Sequence, residues 1–467
     1  MFGLDTITLS LLIICLICAC AFEFVNGFHD TANAVATVIY TNSLKPMTAV
    51  VWSGICNFLG VFAGGIAVAM GIVNLLPVEV LTDQNVYHSI AMILALIVSA
   101  IAWNLGTWYV GLPSSSSHTL VGSILGVGLA YSFMPDNSTG AGVNWSKAAD
   151  IGMSLLISPL FGFGMTLLLI YILKKSIKYK VFFEEPNKEK APPIFVRSLL
   201  ILTCTLVSFF HGSNDGQKGV GLVMVILIAI IPGYYAINEN QDPVKSYNNI
   251  VKIEQVVSNL DTSKFSAKEM KLYNTAVKNF SSIHGILEGK KTYESISNDD
   301  RFKVRKGILL GSKACEKLIE SGATGLNKEG ISSLKSEIKG AKKLTDFAPR
   351  WVIIMISVSL GLGTMIGWKR IVRTIGEKIG KSHLSYAQGA SAELVAASTI
   401  GLSTWLGLPV STTHVLSSGI AGSMVGDRGI GNLQPKTIRN IVTAWVLTLP
   451  VTMLLSGLLF ILFRAIL

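Results

Sequence analysis

Two short stretches of this sequence carry the residue types of anion recognition. GLPSSSSHT (Gly111–Thr119) and GLPVSTTHV (Gly407–Val415) each set a rank of hydroxyls, closed by a histidine, directly after Gly-Leu-Pro. Such a step interrupts a helix, and the residues after proline open a new one. Ser114, Ser115, Ser116 and Ser117 with Thr119, and Ser411, Thr412 and Thr413, are then expected at the start of the new helices. There hydroxyls and unpaired N–H groups converge, and the helix dipole favours an anion. Two such tips facing each other would enclose a tetrahedral oxyanion with donors on both sides. A single motif would read as capping serines in a close helix contact; the matched pair favours the anion cradle. His118 and His414 could donate to that anion, relay a proton, or bond a neighbouring carbonyl.

A second pair of motifs offers the opposite charge. NGFHDTANAVATVIYT (Asn26–Thr41) and HGSNDGQKGVGLVMVI (His211–Ile226) align on Gly27 and Gly212, so that Asp30 meets Asp215 and Asn33 meets Lys218. A carboxylate within an apolar stretch is costly, and a bound cation or a proton is its expected partner. Asp30 with Asn33 and Thr31 offers hard oxygen ligands for a sodium ion, or a protonatable group. Lys218 could pair with Asp215 and stand where a cation would otherwise bind, which favours proton coupling; a purely structural ion pair is the alternative. Glu393, in SAELVAAST, and Asn57, in GICNFLG, are further polar residues in apolar runs. Glu23 lies near the end of the first run, within expected reach of water.

The elements that hold these motifs are set by composition. Half of the 467 residues are hydrophobic and only 14% are charged, against about a quarter in soluble chains. The segment Ile237–Thr345 alone carries 19 of the 39 Lys/Arg and 13 of the 28 Asp/Glu. The pattern is an integral membrane protein with one soluble insertion. Apolar runs of spanning length include Thr6–Phe22, Met47–Leu76, Ile90–Val110, Ile151–Leu173, Trp351–Trp368 and Ile441–Phe463. Shorter pieces flank the motifs, at Leu120–Phe133, Leu199–Phe210, Gly219–Ile231 and Val415–Val425, and suggest broken or re-entrant helices. No Lys or Arg precedes the first run, so it is not read as a cleaved signal peptide.

The net charge of +11 points to topology rather than to nucleic acid, for which no partner role is expected. Lysines 174, 175, 178 and 180 form one cluster, and Lys369, Arg370, Arg373, Lys378 and Lys381 another; both should face the cytoplasm. Met1–Leu44 has no Lys or Arg, which places the N-terminus outside. Cys15 and Cys18 form a CxxC without a second ligand pair, and Cys315 is alone in the insertion, so neither a metal site nor an internal disulfide is expected.

In each half the Gly/Asp motif comes first and the hydroxyl motif later. The chain therefore reads as a duplicated membrane unit: residues 1–180 form a first repeat, 181–196 a cytoplasmic linker, and 197–236 with 346–467 a second repeat. Residues 237–345 are a helical, extracytoplasmic insertion. With the N-terminus outside, the repeats are inverted, an arrangement of secondary transporters whose site lies at the repeat interface. The fold class expected is an all-α integral membrane protein. It has two inverted repeats with broken helices, re-entrant hydroxyl-rich loops and a small helical insertion. Within that insertion, Phe265–Phe280 and the stretch around Lys313–Ile319 have helical spacing, and the basic run Arg301–Lys306 reads as a solvated face.

GFHDTANA, GSNDGQKG and the two Gly-Leu-Pro-hydroxyl elements together resemble the inorganic phosphate transporter (Pit) family, over nearly the whole membrane part. The likeness is greatest to its low-affinity bacterial branch, which shares the GQKG form and an insertion after it. The resemblance implies a carrier for inorganic phosphate in the bacterial cytoplasmic membrane, driven by protons in that branch and by sodium in others. In that branch phosphate is thought to travel as a neutral complex with a divalent metal. It puts phosphate at the hydroxyl loops and cation chemistry at Asp30, Asn33 and Asp215. Animal members have a glutamate in both halves, at the positions of Asn57 and Glu393; this chain keeps only the second, which with Lys218 weighs against sodium. No enzyme activity and no resident cofactor are expected, and a homodimer is the expected assembly. The rivals are a carrier for another oxyanion such as sulfate, a membrane serine hydrolase, which no GxSxG supports, and a channel, which no ring of charges supports.

Overall fold

The computed structural model describes residues 3–76, 86–135, 137, 142–187 and 190–467. It is helical throughout, with no β-strand among the described residues and a single bridge between Gly380 and Leu433. It divides into two compact units, one of Met1–Leu4 with Leu227–Phe347 and one of Asp5–Ile226 with Ala348–Leu467.

The larger unit holds the apolar helices: α1 (Thr6–Asp30), α2 (Ala32–Tyr40), α3 (Pro46–Ala63), α4 (Ala67–Val73), α5 (Val86–Val110), α6 (Ser116–Ser132) and α7 (Trp145–Ser176), followed by α8 (Ile194–Ile230). Thr31, between α1 and α2, keeps helical dihedrals and donates to Gly27 O, so the two run on as one 35-residue span. Among the described residues six helices are long and apolar enough to cross a bilayer, or seven if the bent pair Arg350–Thr364 and Lys369–Lys378 is one span. The long helices α7 and α17 (Pro435–Ile466) expose Leu156, Leu160 and Leu168, and Val446, Leu454 and Leu458, side chains that lipid would cover without loss.

Three apolar stretches fold differently from their expected form. Met47–Leu76 is not one span: it breaks after Ala63 at Gly64-Gly65, where Gly65 has φ +78°, and resumes as the short α4. Apolarity measures length and says nothing of direction. Conversely, Leu199–Phe210 and Gly219–Ile231 are not separate pieces, because HGSNDGQKG lies inside the unbroken 37-residue α8. Its glycines serve contact rather than bending. A Cβ on Gly212 would lie 2.2 Å from Asn57 O, and one on Gly221 2.6 Å from Ala69 O.

After the smaller unit the chain continues through α13 (Arg350–Thr364) and Lys369–Lys378, bent by 55° between them, then α15 (Tyr386–Trp405) and α16 (Thr412–Arg428). Between α13 and α15, Lys369–Arg373 forms the short α14. The packing exchanges elements between the halves: α16 lies on α7, α17 on α6, α1 on α13, and α3 on α8 through the Ser53–Ser208 bond of 2.9 Å. The aligned Gly27 and Gly212 occupy matching crossings, Gly27 against Leu360 O of α13 at 2.5 Å from a built Cβ, Gly212 against α3.

The smaller unit is a four-helix ring of α9 (Pro243–Ser258), α10 (Ala267–Leu287), α11 (Asn298–Glu320) and α12 (Lys328–Lys342). Asp242, Ser266, Ser297 and Asn327 cap the four helices, and Ile250, Phe280, Ile308 and Ile338 meet in the core. The basic run Arg301–Lys306 is not a solvated face as a whole. Arg305 is buried and donates to Ala236 O at 3.1 Å and Thr345 O at 2.8 Å, tying together the entry and exit of the unit.

Candidate functional site

Both Gly-Leu-Pro steps close their helices in the same way. Gly111 and Gly407 take positive φ of +72° and +69°, conformations that glycine adopts without penalty. Leu112 N donates to Thr107 O and Leu408 N to Ser403 O, a six-residue closure in each half. Ser115 and Ser411 then cap α6 and α16, accepting from the amides of His118 and His414. The amides of Ser116 and Ser117, and of Thr412 and Thr413, are the first-turn donors that a helix start leaves free of intrahelical partners.

The two tips meet the aspartates from both halves. Ser116 Oγ lies 3.0 Å from Asp30 Oδ2 and 3.2 Å from Asp215 Oδ2. Thr413 Oγ1 donates to Asp30 Oδ1 at 2.7 Å and accepts from Asn33 Nδ2 at 2.9 Å. Lys218 Nζ pairs with Asp215 Oδ1 at 2.7 Å and donates to Ser117 Oγ and to Val410 O; Ser117 Oγ also reaches Val410 O at 2.6 Å. Asp30, Asp215, Lys218, Ser116 and Thr413 are all buried, so the site is closed to solvent in this conformation.

Other expected residues stand apart from this centre. Ser114 Oγ pairs with Thr448 Oγ1 at 3.0 Å and with Trp103, and Thr119 Oγ1 bonds back to Ser115 O. Both hydroxyls are thus committed to helix packing. Thr31, likewise, turns its hydroxyl to Gly27 O and Thr364 O rather than towards Asp30's partners. The rings of His118 and His414 lie 4.5 Å apart between centroids, tilted by 33°, and His414 stacks in turn on Trp445 at 4.0 Å. His118 Nδ1 pairs with Ser115 Oγ rather than with a carbonyl. Glu393 accepts from Thr203 at 2.5 Å, and no hydrogen bond or ion pair among the described residues joins it to Asp30, Asn33, Asp215 or Lys218.

Residues beyond those expected complete the centre. His29 bridges Asp30 Oδ1 and Thr107 Oγ1, both at 3.2 Å. Its aligned counterpart Asn214 holds the second tip, donating to Thr404 Oγ1 at 2.9 Å and Leu408 O, and accepting from Val410 N. His211 Nδ1 pairs with Asn57 Oδ1, leaving Nε2 aimed at Asp30 and Asp215, 3.7 Å from each. Asp30, His211 and Asp215 bring ligand atoms within 4.8 Å of one another, a set that could hold a cation. His29 and His211 both lie inside the quoted motifs, so proximity to the aspartates was the available signal. Glu23 does not reach water: it is fully buried, with its carboxylate against Asn26 Nδ2.

The arrangement combines hydroxyl and amide donors from two helix starts with paired carboxylates and one ammonium, all removed from solvent. Those are the groups that can bind an oxyanion bearing a proton, with a cation beside it.

Comparison with known proteins agrees with this chemistry. The sequence profile described as the phosphate transporter family matches residues 26–456. The low-affinity inorganic phosphate transporter PitA of Escherichia coli (strain K12) is 40% identical over 97% of this chain and 97% of its own. The low-affinity inorganic phosphate transporter of Buchnera aphidicola subsp. Acyrthosiphon pisum is 40% identical over 94% of each. A solved structure titled the sodium-dependent phosphate transporter shares the fold with a TM-score of 0.55, at 21% identity, over 98% of this chain and 100% of that one.

Proposed function

Since this chain belongs to the phosphate transporter family, we propose that it carries inorganic phosphate across the bacterial cytoplasmic membrane as a secondary, proton-coupled symporter. The observation that carries the reading is the meeting of the two hydroxyl-bearing helix starts with Asp30 and Asp215 in one buried centre. Ser116, Ser117, Thr412 and Thr413, with the free first-turn amides, donate to the phosphate oxygens. Near neutral pH phosphate keeps a proton that sulfate lacks, and a carboxylate acceptor such as Asp30 or Asp215 discriminates in its favour, because a buried unpaired partner is costly.

Lys218 supports protons over sodium. Its ammonium pairs with Asp215 and so supplies from the protein itself the positive charge that a bound sodium ion would bring. The alternation of access follows from the duplicated arrangement. Inverted repeats trade conformations around one site at the midplane, and the exchanged packing of α6 with α17 and α16 with α7 is the interface that would shift. The Asp30, His211 and Asp215 ligand set supports a second reading of the cargo, in which phosphate travels with a divalent cation. A homodimer and an extracytoplasmic position for the soluble unit complete the proposal.

Radiolabelled phosphate uptake into proteoliposomes tests it, with a proton gradient or a sodium gradient imposed in turn. Accumulation under the proton gradient alone is expected. A strict sodium requirement would overturn the coupling assignment, and sulfate uptake without phosphate uptake would overturn the substrate.

A further inference from the structure

A third buried carboxyl lies beside the centre without belonging to it. Glu23, on α1 two turns before Asp30, is fully buried. Its side chain rests on the backbone of α8 at Gly219, where an added Cβ would sit 2.8 Å from its Cδ and 3.0 Å from Oε2. The glycine makes the room that the carboxyl fills. Asn26 Nδ2, at 3.3 and 3.4 Å from the two oxygens, is its hydrogen-bond donor, and no ion pair to it is present among the described residues.

The ionisable groups facing it are Asp215 and Lys218 of α8 and Cys20 and Asp30 of its own helix. Of the other helices packed on α1, α5 carries Tyr87, His88 and Tyr109 at its ends, and α13 carries Arg350 at its first position. A carboxylate in such a place, with one long amide bond and no cation paired to it, is unfavourable; a carboxylic acid is not. Lys218, the residue next to Gly219, is already held by Asp215, Ser117 and Val410.

We infer that Glu23 is the group that carries the transported proton, a role that rests on the proton-symport reading above. In the closed conformation its carboxyl is protonated and Lys218 belongs to Asp215. When the site opens to the inside, the Oε–H bond breaks, the proton passes to entering water, and the carboxylate left behind competes with Asp215 for the Lys218 ammonium. That exchange of partners loosens Lys218 from Ser117 and the phosphate-bearing tip, so release of the proton and release of phosphate favour each other. Glu23 does not touch phosphate; it acts through Lys218.

The test separates net uptake from exchange. Proteoliposomes holding wild-type or Glu23→Gln protein are loaded with phosphate, and uptake driven by a pH gradient is compared with phosphate–phosphate exchange at equal pH. The expected result is at least a tenfold loss of gradient-driven uptake in Glu23→Gln, with exchange retained and its pH dependence reduced to that of phosphate's own ionisation. Full gradient-driven uptake by Glu23→Gln, beside a proton-driven wild type, would overturn the assignment of Glu23 alone. A wild type that ignores the proton gradient would instead overturn the coupling reading beneath it. Should Glu23→Gln fail to reach the membrane, Glu23→Asp answers the same question: its uptake is expected to persist with a displaced pH dependence. A pH profile superimposable on the wild type's would overturn the proposal.

Discussion

Asp30 and Asp215, 185 residues apart, converge on one hydroxyl: Ser116 Oγ lies 3.0 Å from the first and 3.2 Å from the second. One serine proton cannot fully serve two carboxylates, so the hydroxyl joins the two halves without completing either. Among the eight hydroxyl residues marked by the sequence, Ser116 is the one that both halves share.

Replacing it separates binding from packing. Ser116→Ala is expected to raise the half-saturation for phosphate about tenfold or more, as loss of a hydrogen bond to a charged group of roughly 1.5–3 kcal/mol implies. Ser114→Ala, whose hydroxyl is paired with Thr448, should leave half-saturation within about twofold. Uptake at graded phosphate concentrations measures both, and equal effects at the two positions would remove Ser116 from the cradle.

The buried Asp215–Lys218 pair should behave as a unit. Asp215→Asn or Lys218→Met alone leaves one uncompensated buried charge, at a cost of roughly 3–5 kcal/mol. The double variant should regain most of the thermal stability in detergent while remaining inactive in uptake. Additive losses would mean that the two side chains do not depend on each other.

Gly27→Ala and Gly212→Ala should fail together. Their added methyl groups would meet Leu360 O at 2.5 Å and Asn57 O at 2.2 Å, forcing apart α1 from α13 and α8 from α3 at a cost of about 1–3 kcal/mol each. Gly152→Ala, whose Cβ meets nothing within 4 Å, is the control. Membrane yield and melting temperature decide the matter, and a harmless Gly212→Ala would contradict the tight crossing.

In the smaller unit, burial raises the carboxyl pKa of Asp346, against the opposing pull of Arg305, while burial lowers that of Arg305 to about 10. An acid whose folded pKa is raised contributes stability that is complete below its unfolded value, near 3.8, and is lost as pH rises through the folded one. Asp346→Asn should therefore protect the unit's amides from hydrogen exchange better than the wild type at pH 7, with the difference shrinking as pH falls through the raised folded pKa and gone below about 4. Weaker protection at pH 7 in the variant would show that the pairing with Arg305 outweighs the burial.

Much of this protein is legible in its residues. The apolar runs give the spanning helices because backbone in lipid must satisfy itself. The charge count marks out the segment that forms the smaller unit, and the repeated Gly-Leu-Pro-hydroxyl element fixes two helix starts, since Gly, Pro and Ser each impose a local backbone condition. Aligning the aspartate motifs also pairs Asp30 with Asp215 and places Lys218 beside it.

What the residues alone do not disclose is which side chains share a space. GSNDGQKG has the composition of a break, yet it lies in a continuous helix, because its glycines face neighbouring helices rather than a turn. Ser114 and Ser116 are identical in type and two positions apart; only the rotation of α6 against α17 and α1 turns one to Thr448 and the other to Asp30 and Asp215. Glu23 changes from a residue near the end of a run to a sealed carboxyl because α8 crosses it at Gly219. Local sequence determines where helices begin, end and carry their polar groups, through backbone preferences that act over a few residues. Which of those groups meet is decided by packing between segments hundreds of residues apart, which only the tertiary structure sets.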